Sequence, residues 1–193
     1  MKNKLSDYIC IYDNVFGNRK NDILNRVIAK NVFPFKSAAV FGENSNQVID
    51  KKIRDTETFA LDNINTESNT IIHYTNLFCS CLHHYVQIYA KDTGTTLDCT
   101  VTDMQVLKYK VGGFYRQHID SGHFSPRTLS FIYLVNDNYE GGELIMELPK
   151  IKETIPIEVK KDRLIVWPSN FMYPHKVNPV KKGIKYSVVA WAL

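Results

Sequence analysis

Three residues in the second half of the chain have the types and spacing of metal ligands. His118 and Asp120 are separated by a single residue in the stretch YKVGGFYRQHIDSGH, and His175 follows much later in MYPHKV. In an extended segment, side chains two apart point to the same face, so His118 and Asp120 can bind one ion together. Two imidazoles and one carboxylate on one side of a metal suit non-haem Fe(II). Such a site keeps positions open for a co-substrate and dioxygen, whereas a four-ligand structural zinc site is closed.

Each part of this motif also has an ordinary structural interpretation. A histidine and an aspartate two apart occur by chance in polar stretches, and the following SGHFSPR has the composition of a solvated turn. His123 in that turn is an alternative third ligand. The cluster CSCLHH, which begins at Cys79, offers further ligand types, but it does not match the spacing of paired structural-zinc knuckles. We therefore predict that this cluster packs within a helix, since buried free cysteine is common.

A buried positive charge is predicted near the end of the sequence. Lys185 opens the segment KYSVVAWAL, where strand alternation places it on one face with Val189 and Trp191. A lysine on an apolar face is costly to bury unless an anion meets it, although a lysine at a strand end can also extend into solvent. Tyr109 could donate a phenolic hydrogen bond to the same anion. A dicarboxylate could then chelate the metal at one end and meet Lys185 and Tyr109 at the other.

Two polar segments are candidates for substrate contact. One is SGHFSPRTLS, which contains Phe124 and Arg127 and directly follows the first two candidate ligands. The other is the polar stretch at residues 42–50. Binding residues are often carried on loops next to a site, but both segments can equally be ordinary connections.

Helical patterns dominate the part of the chain that precedes residue 100. Apolar residues recur at helical spacing over residues 18–30 and again over residues 69–90, which predicts two amphipathic helices. Residues 42–61 between them read as a polar loop that becomes more regular toward Phe59 and Leu61.

After residue 100 the pattern is typical of β-strands. Short segments rich in Val, Ile, Tyr and Trp alternate with Gly-Gly and Asn-Asp turns. The predicted strands are MQVLKY, TLSFIYLV, GELIMEL, IPIEV, RLIVWP, HKVNPV and KYSVVAWAL, with YICIYDNVF near the start of the chain as an added edge. This spacing favours a sandwich, jelly roll or barrel, with the helices packed on it as a layer.

Size and composition predict one domain of ordinary globular type. The chain has 193 residues, a formal net charge of +4 and four cysteines. This length allows a sizeable core, and the mild charge does not favour a nucleic-acid partner. No segment is apolar enough to predict a membrane span, and the polar MKNKLSDYIC does not resemble a signal peptide. We therefore expect free thiols in a reducing, cytoplasmic compartment.

Three segments together resemble the Fe(II)/2-oxoglutarate dioxygenase superfamily. They are YKVGGFYRQHID, RTLSFIYLVNDNYEGGELIM and RLIVWPSNFMYPHKVNPVKKGIKYSVVAWAL, and within the superfamily they are most similar to the prolyl 4-hydroxylase-like branch. The resemblance covers roughly residues 100–193, with a weaker similarity in KKIRDTETFAL. It implies a double-stranded β-helix, or jelly roll, in which residues 1–99 form a helical support region and residues 100–193 form the β core of a single domain.

The resemblance also implies a role for each candidate residue. His118, Asp120 and His175 would bind the iron, and Lys185 and Tyr109 would bind the far carboxylate of 2-oxoglutarate. Trp191 would line the co-substrate pocket. Many members of the superfamily have arginine at the Lys185 position, but prolyl 4-hydroxylases commonly have lysine there, which makes a point-charge contact instead of a bidentate one.

The implied activity is hydroxylation of a C–H bond, with peptidyl proline as the leading target. Fe(II), 2-oxoglutarate and dioxygen are the implied requirements, with ascorbate left open as an accessory reductant, and succinate and carbon dioxide are the implied by-products. A protein or peptide substrate is expected, and the oligomeric state is not indicated. The alternatives are the same chemistry on a free amino acid, a small molecule or a nucleobase, and a jelly-roll binding module without catalysis.

Overall fold

The computed structural model describes most of the chain. The described residues are 4–30, 32–41, 46–61, 66–123, 125–148 and 153–193. Phe124 and residues 42–45, which belong to the two predicted substrate-contacting segments, lie outside this set.

Two α-helices and many short strands make up the described part of the chain. A 3-10 turn at Leu5–Tyr8 precedes α1 (Asn18–Ala29) and α2 (Asn69–Thr93). The strands are β1 Cys10–Asp13, β2 Lys36–Ser37, β3 Val40–Phe41, β4 Gln47–Val48, β5 Arg54–Asp55, β6 Glu57–Ala60, β7 Val101–Tyr109, β8 Phe114–His118, β9 Leu129–Leu134, β10 Glu140–Gly141, β11 Leu144–Leu148, β12 Glu153–Pro156, β13 Arg163–Pro168, β14 His175–Val177, β15 Val180–Lys182 and β16 Lys185–Ala192.

The strands form two main antiparallel sheets. Within the described residues, the larger sheet has the order β1-β13-β9-β16-β7-β6-β2, and the smaller has the order β12-β11-β14-β8-β5. The pairs β10-β15 and β3-β4 form separate two-stranded ribbons. Apolar side chains of β7, β9, β13 and β16 meet those of β11 and β14 in one buried cluster, so the two sheets pack face to face. This arrangement is the predicted jelly roll.

The helices cover the outer face of the larger sheet. α2 begins after Ser68, whose hydroxyl accepts a hydrogen bond from the Ile71 amide, and it ends at Gly94, where φ is +68°. These are ordinary start and stop signals for a helix. The buried faces of α1 and α2 join one apolar cluster with the strands beneath them, so the predicted helical layer is confirmed.

The last strand, β16, lies between the two apolar clusters, as the alternation of its side chains predicted. Tyr186, Val188 and Ala190 on β16 pack toward the helices. Val189 and Trp191 pack between the sheets. All residues of this strand are buried, because it lies in the middle of the larger sheet with a covered face on each side.

Two parts of the sequence prediction are wrong in detail. HKVNPV was expected to be one strand, but β14 ends at Val177 and β15 begins at Val180 in a different ribbon, since Pro179 between them has no amide to donate. The region at 42–61 was expected to be largely loop, but its described part contributes β4, β5 and β6. β5 and β6 belong to the smaller and larger sheets respectively, so the first half of the chain supplies strands as well as helices. YICIYDNVF does supply an edge strand, β1.

In the part of the chain that the structure describes, neither helix has the length and apolar character needed to cross a bilayer.

Candidate active site

Two histidines face each other across neighbouring strands of the smaller sheet. His118 is the last residue of β8 and His175 is the first of β14, and the register of these strands places the two directly opposite. Their ring centroids are 4.3 Å apart. The backbone pairing therefore brings together two side chains that are distant in sequence.

Each imidazole is oriented by the main chain. His118 Nδ1 lies 2.9 Å from the carbonyl oxygen of Arg116, and His175 Nδ1 lies 3.1 Å from the carbonyl oxygen of Tyr173. A carbonyl only accepts hydrogen bonds, so Nδ1 is the donor in both rings and the Nε2 lone pair is free. Both Nε2 atoms point to Asp120, at 3.4 Å from Oδ1 for His118 and 3.4 Å from Oδ2 for His175.

Asp120 is held in place by Ser130, which in turn contacts a second buried serine, Ser169. The Ser130 hydroxyl donates to Asp120 Oδ2 at 2.7 Å, and it lies 2.7 Å from the Ser169 hydroxyl. Ser130 lies on β9 of the larger sheet, so the carboxylate is fixed across the interior of the jelly roll. Neither serine was predicted, because a serine in a strand gives no sequence signal for contact with a distant aspartate.

Aromatic rings surround the two imidazoles. Tyr115 stacks on His118 with centroids 3.6 Å apart and an interplanar angle of 20°. Trp167 meets His175 edge to face at 4.9 Å. Such packing restricts ring rotation and keeps the Nε2 atoms directed at a common point.

The protonation states favour a bound cation. Burial lowers the pKa of His175 to about 4 despite the nearby Asp120, so this imidazole is neutral at neutral pH. Burial alone would raise the pKa of Asp120, but His175, His118 and the Ser130 hydroxyl outweigh it and hold the pKa below its usual value. The carboxylate is therefore ionised while the neighbouring imidazole is neutral.

The donor set fits a metal ion. The ligand atoms of His118, Asp120 and His175 all lie within 4.8 Å of one another. Among the described residues, these three side chains are the group of His, Cys, Asp or Glu that is close enough together to hold an ion. The converging atoms are two imidazole lone pairs and a carboxylate, with no donor between them, so a cation is the natural partner at their centre.

CSCLHH lies on α2 as predicted, where His83 Nδ1 is 2.8 Å from the Cys79 carbonyl oxygen and Nε2 accepts from the Val101 amide.

Lys185 and Tyr109 lie next to each other beside this group. They are paired directly across β16 and β7, and the Lys185 ammonium is 5.4 Å from the centroid of the Tyr109 ring. Burial lowers the pKa of Lys185 to about 7, an effect that the charge of Glu143 only partly offsets. Burial raises the pKa of Tyr109 to about 12, so its phenol remains a donor.

The glycine pair in the sequence EGGE gives Lys185 its position. The ammonium donates to the Gly142 carbonyl at 2.7 Å. Gly142 has a φ of +66°, and a Cβ at this residue would lie 3.0 Å from Val180 and 3.3 Å from the Lys185 side chain. A larger residue would be strained there and would crowd the lysine.

A cavity of about 740 Å³ opens above the three candidate ligands. Tyr109 and Trp191 line it, whereas Lys185 is buried next to Tyr109 and does not itself line the wall. The cavity extends from the jelly-roll interior to the short strands β2 and β6 at the edge of the larger sheet. His123 is exposed and lies outside the ligand group.

Arg127 lines this cavity, and Asp103 partly compensates its positive charge. Its guanidinium carbon is 3.6 Å from the centroid of the Trp191 ring, and Nη2 is 3.4 Å from Asp103 Oδ2. Asp103 has a φ of +50°, and the pairing of β7 with β16 shifts register around it. An extra residue in a strand re-aims a side chain, which explains how an aspartate within β7 reaches Arg127.

Comparison with known proteins agrees with this geometry. Residues 104–193 match the family model of the 2OG-Fe(II) oxygenase superfamily. This part of the chain is therefore similar to the 2OG-Fe(II) oxygenase superfamily. The matched segment contains His118, Asp120 and His175 together with Tyr109 and Lys185.

Several relatives of this chain are named PKHD-type hydroxylases. One from Rippkaea orientalis is 33% identical over 91 residues, which cover 44% of this chain and 39% of that protein. Another, from a Synechococcus strain, is 33% identical over 90 residues, which cover 45% of this chain and 39% of that protein. The matched segment therefore spans about two fifths of the length of these curated relatives.

Solved structures share the fold of this chain almost throughout. A prolyl hydroxylase from Trichoplax adhaerens, in complex with a hypoxia inducible factor peptide fragment, has a TM-score of 0.75 at 21% identity and covers 97% of this chain and 84% of its own. A prolyl-4-hydroxylase from Pseudomonas putida has a TM-score of 0.70 at 18% identity, covering 95% of this chain and 91% of its own. The predicted jelly-roll fold is confirmed.

Proposed function

We propose that the protein is an Fe(II)- and 2-oxoglutarate-dependent dioxygenase that hydroxylates a C–H bond of a peptidyl residue, with proline as the leading target. The observation that carries this proposal is the convergence of His118, Asp120 and His175 on one point at the floor of a large cavity. Three protein ligands leave room for a bidentate keto acid and dioxygen, which a closed site would not.

The residues of the chain would hold the reactants in place. His118, Asp120 and His175 would bind the ferrous ion through two Nε2 atoms and one carboxylate oxygen. Tyr109 and Lys185 would bind the far carboxylate of 2-oxoglutarate. The Lys185 ammonium would then donate hydrogen bonds to both this carboxylate and the Gly142 carbonyl. Lysine has three donors, so both contacts are compatible.

When bound, Fe(II) and 2-oxoglutarate activate dioxygen, so that the keto acid is converted to succinate and carbon dioxide while the substrate gains a hydroxyl group. The protein needs no general acid or base for this chemistry. Its contribution is to position the reactants and to surround them with apolar side chains such as Ile132, Trp167 and Val189, which exclude water from the cavity.

A peptide substrate is supported by the size and opening of the cavity. Its volume of about 740 Å³ is typical of pockets that enclose a drug-sized ligand, so there is room for a substrate residue beside a five-carbon keto acid. The relatives named as hydroxylases, and the Trichoplax enzyme crystallised with a peptide, make peptidyl proline the first substrate to test.

The test is succinate release from 2-oxoglutarate under aerobic, ferrous conditions. Proline-containing peptides, free proline and other metabolites are compared, and the product is examined for a gain of one oxygen by mass spectrometry. We expect succinate release to rise with a peptide and to match its hydroxylation. Coupling to a free amino acid alone would overturn the peptide assignment, and the absence of iron-dependent succinate with every substrate would overturn the enzymatic one.

A further inference from the structure

Arg54 is a buried cation without a carboxylate partner in the described part of the chain. It lies on β5 in the cavity wall, with 8% of its surface exposed. Its Nη1 donates to the Ala39 carbonyl at 3.2 Å, and its guanidinium carbon lies 4.7 Å from the centroid of the Tyr115 ring. Its buried Nε has no hydrogen-bond partner among the described residues.

Another buried arginine of the same chain, Arg163, has carboxylate partners. Arg163 is buried to a similar extent, with 7% exposed, but it forms ion pairs with Asp13 at 2.7 Å and with Glu158 at 3.2 Å. Buried charges in proteins are almost always paired, because desolvation of an isolated charge is costly. Arg54 therefore lacks the compensation that the fold provides for Arg163.

The other charges of the cavity do not supply this compensation. Of the two carboxylates on its wall, Asp103 is engaged by Arg127 at 3.4 Å, and Asp120 faces the two imidazoles and Ser130. Lys36, on the cavity rim, is a second cation without an ion pair among the residues that the structure describes. The outer cavity thus has an excess of positive charge, which favours an anionic ligand.

This anion would bind close to the reacting centre. The Tyr115 ring that contacts Arg54 also stacks on His118, so Arg54 lies one aromatic ring away from the metal-ligand group. The contact from Arg54 to the Tyr115 ring and the contact from that ring to His118 together cover about the length of two residues of an extended peptide, at roughly 3.3 Å per residue. Under the proposed function, one carboxylate of 2-oxoglutarate belongs to the metal and the other to Lys185 and Tyr109. The carboxylate that meets Arg54 then has to come from the substrate.

We propose that Arg54, with Lys36 at the rim, forms a carboxylate-binding subsite that selects peptides with Asp or Glu within about two residues of the hydroxylated position. This inference rests on the proposed function and names the substrate class of the same site. The N–H donors of a guanidinium make strong and specific contacts with a carboxylate, and Arg54 lines the cavity in which the substrate would bind.

The first experiment needs no protein variant. Peptides with one central proline are prepared with Glu, Gln or Lys at each position from two before to two after it, and kcat/KM is measured by the gain of one oxygen. A charge-assisted hydrogen bond predicts that the best Glu peptide exceeds its Gln counterpart by roughly tenfold or more, with the Lys peptide lowest. The advantage should fall as salt concentration rises.

The second experiment assigns the preference to Arg54. Arg54→Gln should remove the difference between the Glu and Gln peptides, and Arg54→Glu should make the Lys peptide the best of the three. Arg54→Lys keeps the charge and should keep part of the preference. Arg19→Gln is the matched control, because it removes the same charge from the exposed surface of α1 and should leave the preference as in the unaltered protein. Circular dichroism melting shows which variants are folded.

The outcomes separate this inference from the function on which it rests. Hydroxylation of Glu, Gln and Lys peptides with equal kcat/KM would overturn the carboxylate subsite and leave the proposed function standing. A rise in the KM for 2-oxoglutarate in Arg54→Gln, with the Glu preference intact, would assign Arg54 to the co-substrate and also overturn it. If no peptide is hydroxylated, the peptide assignment fails first and the subsite with it.

Discussion

His118 and His175 each use one ring nitrogen for the main chain and the other for the proposed metal. The carbonyls of Arg116 and Tyr173 accept hydrogen bonds from the two Nδ1–H groups, which leaves both Nε2 atoms directed at Asp120. The orientation is therefore set before any ion binds. A preoriented set of ligands loses little entropy when it takes up a metal.

Replacing His175 by alanine is expected to abolish turnover in a protein that still folds. Loss of a partner behind a ligand already costs about 10- to 100-fold in metal affinity, so loss of the ligand itself should cost more than about 100-fold. Metal binding is measured by calorimetry with Mn(II), and turnover by succinate release. His123→Ala is the matched control, since His123 is exposed and outside the ligand group, and it should behave as the unaltered protein. Full activity of His175→Ala would contradict its assignment as a ligand.

The affinity for 2-oxoglutarate is expected to fall as pH rises above about 7. Burial lowers the pKa of the unliganded Lys185 to about 7, so the amine loses its proton above this pH. The bound carboxylate stabilises the ammonium and raises the pKa again, so binding takes up a proton and the affinity falls by up to about tenfold per pH unit.

Calorimetry on the Mn(II)-loaded protein in two buffers of different ionisation enthalpy measures this proton uptake. Lys185→Arg should lose the dependence, because a guanidinium stays charged throughout the range. Equal affinity at pH 7 and pH 9 would show that the carboxylate binds elsewhere.

At the scale of elements, a buried aspartate joins α1 to the larger sheet. Asp162 is 1% exposed and accepts hydrogen bonds from the amides of Phe16 and Gly17, which precede α1, and from the Tyr133 hydroxyl on β9. The single proton of the Tyr133 hydroxyl is shared between Asp162 and Asn21 Oδ1 on α1, at 2.7 Å, and the Asn21 side-chain amide donates to the Val135 carbonyl. One side chain thus satisfies the start of a helix and the centre of a sheet together.

Asp162→Ala is expected to lower the free energy of unfolding by about 2 kcal/mol or more. It would leave the amides of Phe16 and Gly17 without an acceptor, and each unsatisfied group costs roughly 1–3 kcal/mol. Urea denaturation measures the change. Asp22→Ala removes the same charge from an exposed pair with Lys161 and should change the stability by less than about 1 kcal/mol. Equal effects of the two substitutions would contradict the anchoring role of Asp162.

The long elements were predictable from the sequence because each carries a periodic signal. Residues 18–30 and 69–90 have helical spacing, and the observed α1 and α2 match them to within a few residues. Strands of two residues, such as β2 and β5, have no period to detect. They form because longer neighbours pair with them, so tertiary contact decides their structure.

The candidate site was predictable only in part. Alternation and family resemblance single out His118, Asp120 and His175, and the structure brings them together, while their role as ligands stays a prediction. The contacts of Ser130 and Arg54 could not be predicted, because they depend on how β9 and β5 lie around the cavity. A single serine or arginine in a strand has the same sequence pattern whether it faces a cavity or solvent.

At the scale of the whole molecule, metal and co-substrate are expected to stabilise the fold. The proposed ligands come from both ends of the β core, so an unfolded chain cannot assemble the site. A ligand at 100 times its dissociation constant adds about 2.7 kcal/mol, which corresponds to roughly 5–10 °C in Tm for a chain of this size. Differential scanning fluorimetry with Mn(II) and 2-oxoglutarate, before and after chelation with EDTA, measures the shift. His175→Ala should show no shift with Mn(II), and an equal shift would contradict its role.

The cross-strand register separates the parts of this fold that can vary from the parts that cannot. His118 lies opposite His175, and Tyr109 lies opposite Lys185, so an insertion within these strands would turn the reactive groups out of the barrel. The loops that follow β8 and precede β14 are constrained as well, because the first carries Asp120 and the second carries Ser169 and the Tyr173 carbonyl that orients His175. Sequence variation that preserves the candidate site is therefore expected outside these strands and outside the two loops that bear on it.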